Sequence, residues 1–153
     1  MDKVALVTGS SSGIGFETSL ALAREGYYTY ATMRDVKKGN TIKDVAKKEN
    51  LKVEVLALDV DKDETIHNCV NQIVKEKNGI DVLVNNAGYG LFGCLEDISM
   101  EELKAQFETN FFGVVRMLQA VLPVMRKQKS GIVVNVSSVA GRIGFPVSPS
   151  YIS

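Results

Sequence analysis

Five short apolar runs recur along the chain: KVALVTG, YYTYATM, KVEVLALDV, IDVLVNNAG and GIVVNVSS. Stretches with helical character separate each run from the next. Read as strands, the runs are short and lack regular in/out alternation, which fits a sheet covered on both faces. Strands alternating with helices join a parallel sheet through right-handed crossovers. The expected fold is therefore α/β: one domain built on a doubly wound parallel sheet, of the Rossmann type. A ligand should sit beyond the C-terminal strand ends, where the winding reverses.

The intervening segments carry their own signals. Residues 13–25 read as a helix, with Ile14, Leu20, Leu22 and Ala23 apolar and Gly26 as the stop. Residues 36–49 are polar and lysine-rich, so a solvated helix is expected. The stretch DKDE, Asp61 to Glu64, has the form of a capping box with Asp in place of Ser or Thr. It should open a helix that runs to about Asn78 and is closed by Gly79. SMEE, Ser99 to Glu102, is a second such box, opening a long helix to about residue 128 with a kink at Pro123.

Charge excludes some partners. Lys+Arg and Asp+Glu both number 18, so the net charge is zero and nothing argues for nucleic acid or an acidic membrane surface. The cysteines, Cys69 and Cys94, form no CxxC pair, and a lone His67 cannot anchor a zinc site. Two reduced thiols, an exposed helical histidine and no metal are expected. The early apolar run, Val4 to Val7, is too short for a signal peptide or a membrane span, so a cytoplasmic protein is expected.

The first run leads into TGSSSGIG, Thr8 to Gly15. Gly9, Gly13 and Gly15 follow a strand and open a helix. Such a turn lets a pyrophosphate approach the backbone closely, and the first helical N–H groups lack partners and face the anion. The spacing is GxxxGxG, not the commoner GxGxxG. Asp35 lies about 20 residues on, where an acid would bind a ribose 2′-OH. Arg34 stands nearer the end of the second run, and its planar fork suits a 2′-phosphate. NADP(H) is expected over NAD(H), with Arg34 as the contact.

TGSSSGIG, LDV, NNAG, ETN and NVSS…Y occur in that order across the whole chain. Together they resemble the classical short-chain dehydrogenases/reductases. YATMRD, GYGLFG and VVRMLQAVLPVMRK look closest to the hydroxysteroid and retinol dehydrogenase branch. The resemblance implies that Ser11, Ser12, Gly13 and Ile14 contact the cofactor phosphates and ribose. It puts Asp59 and Val60 at the adenine, and Asn86, Ala87 and Gly88 along the cofactor. It makes Asn110 the residue that orders a proton-relay water, Ser138 a hydrogen-bond donor to the substrate oxygen, and Tyr151 the general acid/base. Tyr151 follows Ser138 by 13 residues, the family's spacing, and Ser148 and Pro149 suit a helix start just before it.

A free tyrosine titrates near pH 10, so only about one in a thousand is phenolate at pH 7. Bringing that pKa near 7 takes roughly 4 kcal/mol of preference for the charged form. The resemblance implies a lysine four residues after the tyrosine to supply it, two positions past Ser153. The chain is thus expected to be the N-terminal portion of a longer enzyme, inactive by itself. The implied activity is hydride transfer between nicotinamide and a secondary alcohol or ketone. Apolar Leu91, Phe92, Phe145 and Val147 suggest an apolar substrate, steroid-, retinoid- or ketoacyl-like. The alternative is a catalytically inactive dinucleotide-binding sensor or scaffold of the same fold. The resemblance also implies a homodimer or homotetramer for the intact protein.

Overall fold

Each apolar run contains a strand: β1 (Val4–Val7), β2 (Tyr28–Met33), β3 (Val53–Ala57), β4 (Val82–Asn85) and β5 (Ile132–Asn135). The computed structural model describes residues 2–141. The strands form one parallel sheet in the order β3-β2-β1-β4-β5. The order runs outward from β1 in one direction, then jumps back across it to β4. The winding therefore reverses between β1 and β4, as the doubly wound reading requires.

Helices cover both faces: α1 (Gly13–Arg24), α2 (Asn40–Lys48), α3 (Asp63–Lys77), α4 (Met100–Phe107) and α5 (Gly113–Gln128). One face of the sheet sends Leu6, Tyr30 and Leu83 against Ile66 and Ile73 of α3 and Met117 and Val121 of α5. On the other face Leu20 of α1 and Ile42 of α2 meet Ala31 and Met33. The central strands β1 and β4 are buried along their whole length, which explains their unbroken apolar sequence. On β5, Ile132 is 59% and Val134 43% exposed, so coverage of that strand departs from the two-faced expectation.

Local signals were obeyed where no distant partner competed. Ser99 caps α4 with the reciprocal pattern: the Glu102 amide donates to its hydroxyl at 3.2 Å, and its own amide donates to the Glu102 carboxylate at 2.9 Å. The Ser99 hydroxyl, which donates to the Glu102 carboxylate at 2.7 Å, and then the Ser99 amide lower the pKa of that carboxyl. Gly26 ends α1 at φ +87°.

Four expectations need correction. Asp61 does not cap α3; the capping position is Lys62, with no side-chain bond. The Asp61 carboxylate instead accepts from the Thr109 hydroxyl at 2.8 Å, a tertiary partner that local spacing cannot reveal. The left-handed residue closing α3 is Asn78, at φ +65°, not Gly79. A Cβ at 79 would lie 2.5 Å from the Gln128 side-chain oxygen, so that side chain, which bonds the Ile80 backbone, would have to shift. Residues 36–49 begin with a 3-10 turn (Val36–Gly39), and α2 buries Ile42 and Ala46, so only its outer face is solvated. The long helix is interrupted by a π-helical turn, Glu108–Phe112, while α5 runs unbroken through Pro123. The interruption lies in the turn that carries Asn110, and Pro123 falls inside α5.

Candidate functional site

The loop after β1 is built to approach other backbone closely. A Cβ on Gly9 would lie 2.8 Å from the Ala87 Cα, and one on Gly15 would lie 2.5 Å from the Gly9 carbonyl oxygen. Gly13 has open space around it but adopts φ +60°, a left-handed conformation that favours glycine. α1 then starts at Gly13 with Ser12 making no side-chain cap. Its first N–H groups are left for an outside acceptor.

Thr8 and Asn86 hold this loop to the end of β4. The amides of Asn86 and Ala87 both donate to the Thr8 hydroxyl at 2.9 Å. The Asn86 side-chain amide donates to the carbonyls of Thr8 at 2.9 Å and Gly9 at 3.2 Å. Ser10 donates to the Val7 carbonyl at 3.0 Å, and the buried Ser19 lies within hydrogen-bond distance of Ser10 and of the Gly15 carbonyl.

A cleft of about 1000 Å³ opens beyond the C-terminal ends of β1 and β4. Gly9, Ser11, Ser12, Ile14, Arg34, Asp59, Val60, Asn86, Ala87, Gly88, Asn110 and Ser138 all line it. Gly13 and Gly15 shape the loop without lining the cleft. Ile14 is 64% exposed and lines the cleft, while Gly15, Ser19, Leu20 and Ala23 are the buried residues of α1. Leu91 and Phe92 are not lining residues; among the described residues Tyr89, Phe107, Phe111, Val114 and Val136 add to the apolar lining. Tyr151, Phe145, Val147, Ser148 and Pro149 lie outside the described residues.

At the strand-end turn after β2 the two candidate residues separate. The Asp35 carboxylate accepts from the Lys37 amide at 3.0 Å and caps the 3-10 turn. Arg34 lines the cleft, and among the described residues it has no ion pair. Across the cleft, Asn110 sits within the π-helical turn and clamps the backbone of Tyr89. Its oxygen accepts from the Tyr89 amide at 3.0 Å, and its amide donates to the Tyr89 carbonyl at 2.8 Å. Gln106, one turn earlier and 1% exposed, donates to the same carbonyl at 3.1 Å. Ser138 accepts from the Ala140 amide at 3.1 Å, and among the described residues its O–H has no acceptor.

Sequence reasoning missed Thr8, Gln106 and the Tyr89 backbone. Thr8 alone had a signal, as the residue joining the first strand to the glycine turn. The described residues contain no cluster able to hold a metal and no helix long and apolar enough to cross a membrane. Both cysteines are free, Cys69 buried and Cys94 exposed.

The family model for short chain dehydrogenases matches residues 3–153. This chain belongs to the short-chain dehydrogenase family. The short-chain dehydrogenases are oxidoreductases that bind nicotinamide dinucleotides. The chain is 41% identical over 150 residues to a 3-ketodihydrosphingosine reductase of Bacteroides thetaiotaomicron, covering 97% of this chain and 52% of that protein. It is 42% identical over 146 residues to retinol dehydrogenase 8 of Homo sapiens, covering 93% and 46%. Among solved structures, an actinorhodin polyketide ketoreductase crystallised with NADPH superposes with a TM-score of 0.93 at 31% identity, covering 98% of this chain and 58% of that one. The chain thus spans about half the length of the curated relatives it matches. The glycine cradle, the uncapped start of α1 and the polar strand ends fit the pyrophosphate and ribose groups of such a dinucleotide.

Proposed function

We propose that the protein to which this chain belongs is an NADP(H)-dependent oxidoreductase acting on an apolar secondary alcohol or ketone. The observation that carries this reading is the division of labour at the end of β2. Asp35, the residue that would repel a 2′-phosphate, is turned into the chain as a cap, and Arg34 is left facing the cleft. A guanidinium there pairs with a phosphate dianion through two parallel bonds.

The cofactor supplies the hydride acceptor or donor; the protein supplies geometry and the proton. Ser11, Ser12, Gly13 and Ile14 bind the phosphates and ribose with the N-terminus of α1. Asp59 and Val60 bind the adenine, and Asn86, Ala87 and Gly88 support the cofactor at the end of β4. Ser138 donates its O–H to the substrate oxygen. Tyr151, 13 residues later, exchanges the proton with that oxygen as the hydride moves. Asn110 holds the Tyr89 segment beside the reaction and orders the water that relays the proton. The apolar lining from Tyr89, Phe107, Phe111 and Val136 supports an apolar substrate. So do the relatives, whose names refer to 3-ketodihydrosphingosine and to retinol.

The test is a titration of the purified chain with NADPH and with NADH, read by nicotinamide fluorescence. NADPH should bind at least about tenfold more tightly, a difference of about 1.4 kcal/mol. Arg34→Ala should remove that preference while leaving NADH affinity unchanged. Equal affinities in the parent chain would overturn the NADP assignment, and binding of neither would overturn the cofactor site.

A further inference from the structure

Two ties join the β3–α3 turn to the π-helical turn, and the proposed mechanism uses neither. The Thr109 hydroxyl donates to Asp61 at 2.8 Å. Arg116 of α5 bonds Glu108 of the π-helical turn and, at 3.2 Å, Asp63 at the start of α3. Between the ties Gly113 packs against Val60: a Cβ on Gly113 would lie 2.8 Å from the Val60 side chain. Asp61 and Thr109 line the cleft, whereas Arg116 does not.

The turn held on one side carries Asp59 and Val60. The turn held on the other carries Asn110 and, through it, the backbone of Tyr89. A π-helical turn is rarely stable by itself and clusters at functional sites, so something must fix its register. The adjoining elements supply only a helix on each side. The specific side-chain bonds that grip the π turn are those from Thr109 and Arg116, together with Asn110 itself. Among the described residues, a buried guanidinium nitrogen of Arg116 and a buried oxygen of Asp61 have no hydrogen-bond partner. Without the Thr109 hydroxyl, the Asp61 carboxylate would keep no hydrogen-bond donor among the described residues.

We infer that Thr109 and Arg116 are positioning residues that hold the Asn110 segment in register with the adenine-side turn, so that occupancy of one end of the cleft is felt at the other. The inference deepens the cofactor reading and rests on it for the adenine end. Its effect on Asn110 requires no ligand.

The experiment uses the purified chain and the variants Thr109→Val, Thr109→Ser and Arg116→Met. Hydrogen exchange reads the Tyr89 amide, which is held only if Asn110 is in place. Calorimetry reads the affinity for 2′,5′-ADP, the adenosine half of the cofactor. Thr109→Val and Arg116→Met should each speed Tyr89 exchange about tenfold or more, while the amides of β1 keep their protection. Both should weaken 2′,5′-ADP by about fivefold or more, the lower end of ordinary coupling between sites. Thr109→Ser keeps the hydroxyl and should behave as the parent in both. The effect of Arg116→Met on the nucleotide is decisive, because that side chain does not line the cleft. Unchanged Tyr89 exchange in both disruptive variants would overturn the inference, as would equal loss of protection across the sheet or failure of the serine to rescue. If the parent chain binds no 2′,5′-ADP, the cofactor reading falls instead, and Tyr89 exchange still decides the positioning role.

Discussion

Replacing Thr8 by valine removes one oxygen and keeps the shape. Thr8 is 1% exposed, and its hydroxyl accepts from the amides of Asn86 and Ala87 at 2.9 Å each. Valine would leave both donors unpaired. A buried donor without a partner costs about 1–3 kcal/mol. Asn86 and Ala87 are only half-buried, so water can reach part of this region and the lower half of the range applies, about 2–4 kcal/mol for the pair. The new methyl is buried and returns about 1 kcal/mol. The hydroxyl's own contact to the Val84 carbonyl, at 3.4 Å, is long enough to neglect. The net expectation is a loss of about 1–3 kcal/mol, or roughly 4–8 °C in melting temperature at the centre of that range. Urea unfolding followed by circular dichroism measures it, and an unchanged slope would show that the same surface is exposed. Hydrogen exchange localises it: the Asn86 and Ala87 amides should lose protection in Thr8→Val and keep it in Thr8→Ser. A valine variant as stable as the parent, with both amides still protected, would refute the claim that this hydroxyl ties the glycine loop to β4.

Gly15→Ala would set a methyl carbon 2.5 Å from the Gly9 carbonyl oxygen, so the loop must move; NADPH affinity should fall at least about tenfold by fluorescence titration, with secondary structure retained. One thiol should react with a disulfide reagent in the native chain and two after denaturation. Cys94 is exposed, whereas burial pushes the Cys69 thiol up to about 12 and keeps it protonated. Two tyrosines on β2 should weaken the fold in alkali. Burial, reinforced by the Glu54 carboxylate, pushes Tyr28 up to about 12, and burial with Glu76 raises Tyr30 as well. The folded state thus favours the protonated phenols. Their contribution is complete below pH 10, the unfolded value, and is lost as pH rises towards 12. Unfolding free energy measured across that window should fall less steeply in the Tyr28→Phe, Tyr30→Phe double variant.

The sequence by itself determined the strands, the helix starts at Gly13 and Ser99, the closure at Gly26 and the glycine turn after β1. Those features depend on neighbours within a few residues: an apolar run, a reciprocal Ser–Glu cap, a glycine needed for a left-handed or crowded backbone. Alternation of strands and helices then carried the sheet topology, because chirality leaves few ways to connect parallel strands. The cleft followed from that topology, and the shared motifs had already named most of its lining. Tertiary structure alone decided how those residues are held. Asp61 had the local form of a cap, yet its partner is Thr109, 48 residues away. Thr8 bonds amides 78 and 79 residues distant. The π-helical turn at Asn110 interrupts what spacing reads as one long helix, and Asn110 spends its amide on Tyr89 from 21 residues away. Spacing offered Asp35 beside the favoured Arg34, and only the folded 3-10 turn takes up the Asp35 carboxylate as a cap. A polar side chain satisfied by a distant backbone leaves no trace in its own neighbourhood, because the bond forms only after the chain has folded back on itself.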